Sequence, residues 1–135
     1  MSTPIINAIN NVNDSSIATL FETVANNSVA RDNLSQSDRN VDAVGNSDIA
    51  AAAIGVNGDA ARLCTVRREG NAPSNYPELS DVASDSSLMQ GISSRPASAN
   101  IMARSGPMMD SVTASTTAMD AVSASATAMD AVSAS

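Results

Sequence analysis

Apolar side chains recur along this chain every ten residues. From Leu79 onward the blocks LSDVASDSSL, MQGISSRPAS, ANIMARSGPM, MDSVTASTTA, MDAVSASATA and MDAVSAS align without a gap. Their first column reads Leu79, Met89, Ala99, Met109, Met119 and Met129; their fourth reads Val82, Ile92, Met102, Val112, Val122 and Val132. Upstream the same period runs in another phase, through FETVANNSVA, RDNLSQSDRN, VDAVGNSDIA, AAAIGVNGDA and ARLCTVRREG. There the fourth column holds Val24, Leu34, Val44, Ile54 and Cys64, while Val29, Ile49 and Val66 fall outside it. The pattern divides the chain into a head (1–20), a first decad run (21–70), a linker (71–78) and a second decad run (79–135).

A continuous helix would have to fit ten residues into three turns, about 3.3 per turn against a relaxed 3.6. The polar positions favour a short helix and a corner in each decad instead. Column seven carries Asn27, Ser37, Ser47, Asn57, Asp85, Ser105, Ser115 and Ser125, all residues that cap helix N-termini. Arg67 and Arg95 are the exceptions. Pro96 and Pro107 then fall at the first and second helical positions, where a missing N–H is harmless. Gly45 and Gly55 fall where a helix would end. Columns one and four share one face of each helix and form the expected repeat core.

The head has its own pattern. Ile5, Ile6 and Ile9 precede Asp14-Ser15-Ser16, a candidate cap for a helix that places Ile17, Leu20, Phe21 and Val24 on one face. Ile5, Ile6, Ile9, Ile17, Leu20 and Phe21 are candidate docking residues; the competing reading packs them on their own chain. The linker NAPSNYPE has two prolines and reads as extended, or as a longer surface loop.

Composition bears on how such helices could be held. Aromatic residues are 1% of the 135 residues, only Phe21 and Tyr76, although hydrophobic residues reach 43%. Large aromatic side chains dominate most cores, so this composition argues against a compact single-chain core. Helices this short are marginal alone. The expected fold is therefore mainly α: an elongated array of short helices with a ten-residue repeat, intertwined as a homotrimer around a shared core of Met and Val.

Chemistry is scarce. The chain has no histidine, so no Ser-His-Asp or Cys-His arrangement can be built, and no enzyme activity is expected. Cys64 alone makes neither an intrachain disulfide nor a zinc cage, and its apolar column predicts a buried, inert thiol. The net charge of −7 argues against nucleic acid, and no apolar run approaches the roughly 20 residues of a membrane span. Nor does the start, MSTPIINAINNVND, read as a secretory signal. Column two carries Glu22, Asp32, Asp42, Asp110, Asp120 and Asp130. One carboxylate per decad is too sparse for calcium unless chains converge, so these read as solvated. The methionine column reads as core rather than as copper ligands, and no cofactor is expected. Arg67-Arg68-Glu69 reads as a solvated corner rather than a basic patch.

The tail STTAMDAVSASATAMDAVSAS resembles the Ala/Ser/Thr-rich repeats with AM and AV pairs of tailed-bacteriophage tail fibre proteins, over 110–135 and more loosely over 80–89. The resemblance implies a structural virion protein, the proximal anchoring part of a homotrimeric fibre. Its partners would be other virion proteins of the tail, baseplate, neck or capsid. A host receptor would be reached only through regions beyond this chain, and assembly would take place in the host cytoplasm. In that reading 21–70 is the attachment part, and 79–135 is the start of a shaft expected to continue past Ser135. The alternatives are a head or collar fibre on the capsid or neck, and a non-viral solenoid that scaffolds protein interactions.

Overall fold

The computed structural model describes residues 2–135, with the side chains of Ser2, Thr3, Pro4, Ile6 and Asn11 outside the described set. The fold is mainly α. Its helices are α1 (Ser2–Asn11), α2 (Asp14–Ala25), α3 (Ser28–Ser35), α4 (Asp38–Gly45), α5 (Asp48–Gly55) and α6 (Gly58–Arg68), then α7 (Leu79–Ala83), α8 (Ser86–Ser94), α9 (Pro96–Ala103), α10 (Gly106–Thr113), α11 (Thr116–Ser123) and α12 (Ala126–Ala134). Among the described residues there is no strand.

Each typical decad is eight helical residues and a two-residue corner. Asn46 stays in the right-handed region (φ −82°, ψ −5°), and Ser47 swings into the extended region (φ −102°, ψ 114°). The next helix starts at once, because the Ser47 Oγ accepts the N–H of Ala50. Column seven supplies the N-cap from Asn27 to Ser125: the side chains of Asn27, Ser37, Ser47, Asn57, Asp85, Ser105, Ser115 and Ser125 each accept a backbone N–H. Arg95 is an N-cap without a side-chain bond, and Pro96 follows it at the first helical position. Arg67 caps nothing, and α6 runs through it to Arg68. In α2 the cap is Asn13, one residue earlier than the expected Asp14-Ser15-Ser16, and the helix crosses the expected boundary at residue 20.

Gly45 and Gly55 end their helices with negative φ; Gly70 is the positive-φ glycine among the described residues. Their role is close approach, not a left-handed turn. A Cβ on Gly55 would stand 3.0 Å from the Arg104 carbonyl oxygen and from the Ser105 Cα.

Within each run, every helix packs on the third helix after it: α1 on α4, α2 on α5, α3 on α6, α7 on α10, α8 on α11 and α9 on α12. Three consecutive decads therefore make one turn of a coil, and the next three stack upon it. Hydrogen bonds span that interval. Ser115 Oγ donates to the Ala83 carbonyl at 2.8 Å, and Ser125 Oγ to the Ser93 carbonyl at 2.7 Å. α9 joins the two runs, packing on α4, α5 and α6. There Ser105 Oγ donates to the Gly55 carbonyl at 2.7 Å and Asn100 Nδ2 to the Gly45 carbonyl at 2.8 Å.

One contiguous core extends from Ile17 to Ala128 within the single chain. The expectation that so few aromatics could not close a core is thus corrected. Alanine, serine and glycine in columns five and ten let backbones approach, and dispersion contacts between close-packed small groups replace large buried side chains.

The core columns differ from the expected pair. Leu34, Val44, Ile54, Val82, Met89, Ile92, Met102, Val112 and Val122 are buried, while Val24, Leu79, Met109 and Val132 are half-buried against them. Met119 and Met129, expected in the core, are exposed, at 38% and 43%. Met89 and Ala99 are buried in helices that carry another coil, whereas Met119 and Met129 sit in helices that carry no described one. The position missed is column ten, where Asn40, Ala50, Ala60, Leu88, Ser98, Met108, Ala118 and Ala128 are all buried.

Candidate interaction surfaces

The docking residues expected in the head divide between core and surface. Ile17 and Phe21 are buried in α2, which packs on α5, and so serve the chain's own core. Ile5 and Ile9 are half-buried against it, Leu20 is exposed, and Ile6 lies outside the described residues. Ile5 also lines an apolar groove of ≈350 Å³ between α1, α2 and α3, with Val24, Val29, Ala30 and Leu34.

The arginines are not a solvated corner. Arg67 Nη1 donates to Asp32 Oδ1 and to Ser35 Oγ, each at 2.6 Å. Arg68 holds Asp42 with two bonds, Nε to Oδ1 at 2.8 Å and Nη2 to Oδ2 at 3.0 Å. The hydrogen bond to Asp42 also raises the Arg68 pKa. Arg95 Nε donates to Glu69 Oε2 at 2.7 Å. Arg104 Nη2 lies 3.4 Å from Asp48, and Arg31 Nη2 lies 3.6 Å from Asp59. These pairs tie α6 to α3 and α4, and tie the second run to the first. Among the described residues Arg39 is the arginine without an ion pair. Arg62 pairs locally with Asp59, but the other paired arginines lie about 26 to 56 residues from their carboxylates, beyond the reach of local periodicity.

Column two accordingly splits. Asp32 and Asp42 receive arginines, whereas Asp110, Asp120 and Asp130 are exposed. Asp120 lines an outer groove of ≈530 Å³ between α8 and α11, together with Gln90, Thr117 and Ser125. Asp130 lines another of ≈410 Å³, beside Asn100 and Thr127. Among the described residues no group of three or more His, Cys, Asp or Glu is placed to hold a metal ion. No described helix is long and apolar enough to cross a membrane.

Cys64 is fully buried, and burial pushes its thiol up to about 12, partly opposed by Arg67. A thiol so held is not a nucleophile at neutral pH. The linker is anchored rather than simply extended. Pro73–Asn75 form a 3-10 turn, and Arg62 Nη1 donates to the Pro73 and Tyr76 carbonyls at 3.1 and 3.0 Å. The Tyr76 hydroxyl donates to Asp85 Oδ2 at 2.8 Å, while Asp85 Oδ1 accepts the Leu88 N–H that starts α8.

The surface that results is polar, acidic and rich in hydroxyls, interrupted by isolated apolar side chains and by the apolar groove beside Ile5. No protein-family model, curated protein or solved structure matches this chain.

Proposed function

We propose that this chain is a non-catalytic structural protein, a stack of helical coils that serves as the anchoring part of a virion fibre. One observation carries the structural half of this reading. Within each run every helix rests on the third helix after it, so decads can be added to a run without altering the core beneath. A protein built this way sets a distance and presents a surface, which suits a spacer between a particle and a distal element. The virion assignment rests on the AM/AV repeats of 110–135 and their resemblance to tail fibre proteins. Three copies would associate through outer faces, since each chain already covers most of its own core. Gold-labelled antibody raised against the folded chain tests the assignment by electron microscopy of particles from the source. Label at one fixed site on the tail, neck or capsid is expected, and particles without label would end the proposal.

A second reading is favoured by the single-chain core: a solenoid scaffold that binds another protein on an outer face without any particle. Mass in solution separates the two, because a scaffold is a monomer and a fibre anchor is a trimer.

A further inference from the structure

We propose that Asn57 is a self-modification site of this chain: its side-chain amide is lost by deamidation when the first turn of α6 opens, and the folded cap holds the reaction off. The proposal is independent of the virion assignment. Asn57-Gly58 is the one Asn-Gly pair among the 135 residues. An asparagine loses its amide when the backbone nitrogen of the next residue attacks the side-chain carbonyl carbon. Glycine hinders that attack least, because it has no Cβ beside the nitrogen and its backbone turns freely. The Gly58 nitrogen gives its proton to hydroxide and bonds to Asn57 Cγ. The bond from Cγ to Nδ2 then breaks, and ammonia leaves with a proton taken from water. Water finally opens the imide at one carbonyl or the other, leaving aspartate or its isomer isoaspartate.

The folded geometry opposes the first step. Ring closure needs the Asn57 Cβ and the Gly58 nitrogen eclipsed about the Cα–C bond, which an L residue reaches only at strongly negative ψ. Asn57 stands at φ −97° and ψ 116°, far from that arrangement. Three hydrogen bonds keep it there. Asn57 Oδ1 accepts the Ala60 N–H at 3.0 Å, Nδ2 donates to Asn26 Oδ1 at 3.2 Å, and the Asn57 backbone carbonyl accepts the Ala61 N–H at 3.0 Å. Turning ψ breaks the last of these. Gly58 is wedged as well, since a Cβ there would stand 3.2 Å from the Pro107 Cβ and 3.3 Å from the Leu79 Cδ1. Exclusion of water is not the lock. Asn57 and Gly58 line an open cleft of ≈560 Å³ beside the linker, and the Gly58 N–H is one of the first-turn donors that a helix leaves unused.

The rate of the reaction therefore follows local opening of α6, not exposure of the side chain. Its two products differ in consequence. Aspartate leaves the backbone as it was, and Asp85 shows that column seven caps with a carboxylate. Isoaspartate instead runs the main chain through the side-chain Cβ and adds one carbon at the corner between α5 and α6. α6 carries Arg62, Arg67 and Arg68, which hold the linker, Asp32 and Asp42. A displaced corner thus loosens α3 and α4 together with α6. Because ammonia is lost, refolding does not reverse the change.

Incubation of the full chain in mildly alkaline buffer, folded or unfolded in urea, followed by peptide mapping with mass spectrometry, tests this directly. In urea Asn57 is expected to convert faster than any other asparagine, to a mixture of aspartate and isoaspartate, and Gly58→Ala should slow it sharply. In the folded chain conversion should be slower by about tenfold or more, the suppression that a locally closed state imposes. Asn26→Ala removes the partner of Nδ2 at an exposed position and should raise the folded rate several-fold without changing the rate in urea. Asn26→Ser serves in its place if the alanine variant does not fold by circular dichroism. After refolding, chain carrying isoaspartate should melt earlier than the Asn57→Asp variant. Equal rates in the folded and unfolded chain would overturn the proposal, as would conversion at Asn57 no faster in urea than at other asparagines. So would a folded rate indifferent to Asn26, or equal melting of the isoaspartate chain and Asn57→Asp.

Discussion

A Cβ placed on Gly45 would stand 2.5 Å from the carbonyl oxygen of Ala97 and 2.6 Å from the Ala97 Cβ. Real Cβ atoms do not approach backbone so closely, so α4 and α9 meet here because residue 45 has no side chain. Alanine is the better helix former by about 1 kcal/mol, yet overpacking against a backbone that cannot give way costs about 1–3 kcal/mol. Gly45→Ala is therefore expected to lower stability. Gly106→Ala, with nothing within 4 Å of the added Cβ, should be neutral or slightly stabilising. Urea midpoints of the two variants check the pair, and equal midpoints would refute the close approach.

Asn40 is fully buried in column ten, and among the described residues neither its Nδ2 nor its Oδ1 has a hydrogen-bond partner. An unsatisfied buried amide costs about 1–3 kcal/mol, and replacing it by an apolar group of similar shape removes that penalty. Leu88 shows that column ten accepts leucine at a buried position. Asn40→Leu should raise the thermal midpoint, with a gain of about 1–2 kcal/mol. A lower midpoint would mean that the amide is satisfied in solution.

Ser105 has two tasks. Its hydroxyl donates to the Gly55 carbonyl at 2.7 Å and accepts the Met108 N–H at 3.2 Å, both in the buried interior. Ser105→Ala removes a cap and strands a buried carbonyl, a loss of about 2–3 kcal/mol. Ser84→Ala is the control: the Ser84 hydroxyl donates locally to the Asp81 carbonyl in an exposed turn and should matter by about 0.5 kcal/mol or less. Chemical denaturation of both variants gives the difference; equal losses would show that the bond to Gly55 adds nothing.

The Tyr76–Asp85 bond makes part of the stability depend on pH. The Leu88 N–H and then the Tyr76 hydroxyl hold the Asp85 carboxyl below the usual carboxylate range, and the same bond pushes the Tyr76 hydroxyl up. A depressed acid contributes stability above its unfolded pKa and loses it as pH falls through the folded value. A raised phenol contributes below its unfolded pKa and loses it as pH rises through the folded value. Tyr76→Phe should therefore melt earlier than wild type at neutral pH. The gap should narrow in acid, below about pH 4, and again in alkali, above about pH 10. Melting curves across pH decide this, and a gap independent of pH would remove the bond from the account.

Local features of this fold were legible because their causes are local. Ser115 and Ser125 cap because a hydroxyl accepts an N–H three residues on, and Pro96 starts a helix because its missing N–H is harmless there. Column four was legible because Val82, Val112 and their equivalents stay apolar in every decad. Column one misled, since Met119 and Met89 are the same residue in the same column, with exposures of 38% and 0%. The difference is whether a coil lies above, which no local pattern records. Column ten did carry a signal, the absence of any charge from Ala30 to Ala128, but its alanines and serines did not read as apolar core. The Arg67–Asp32 pair spans 35 residues and becomes visible only once the three-decad coil is known.

The three-decad coil also governs how such a chain can change length over evolution. Inserting one decad keeps every helix, cap and corner, yet moves each later helix to the next side of the coil. Arg67 would then meet a different decad from the one carrying Asp32, and the Ser115 hydroxyl would find a carbonyl other than that of Ala83. Inserting three decads returns every later residue to its own side, one coil further on. Lineages carrying this design should therefore gain and lose sequence in steps of thirty residues, while single-decad changes gather beside irregular joints such as the segment from Gly70 to Glu78, where the stacking pattern is already interrupted.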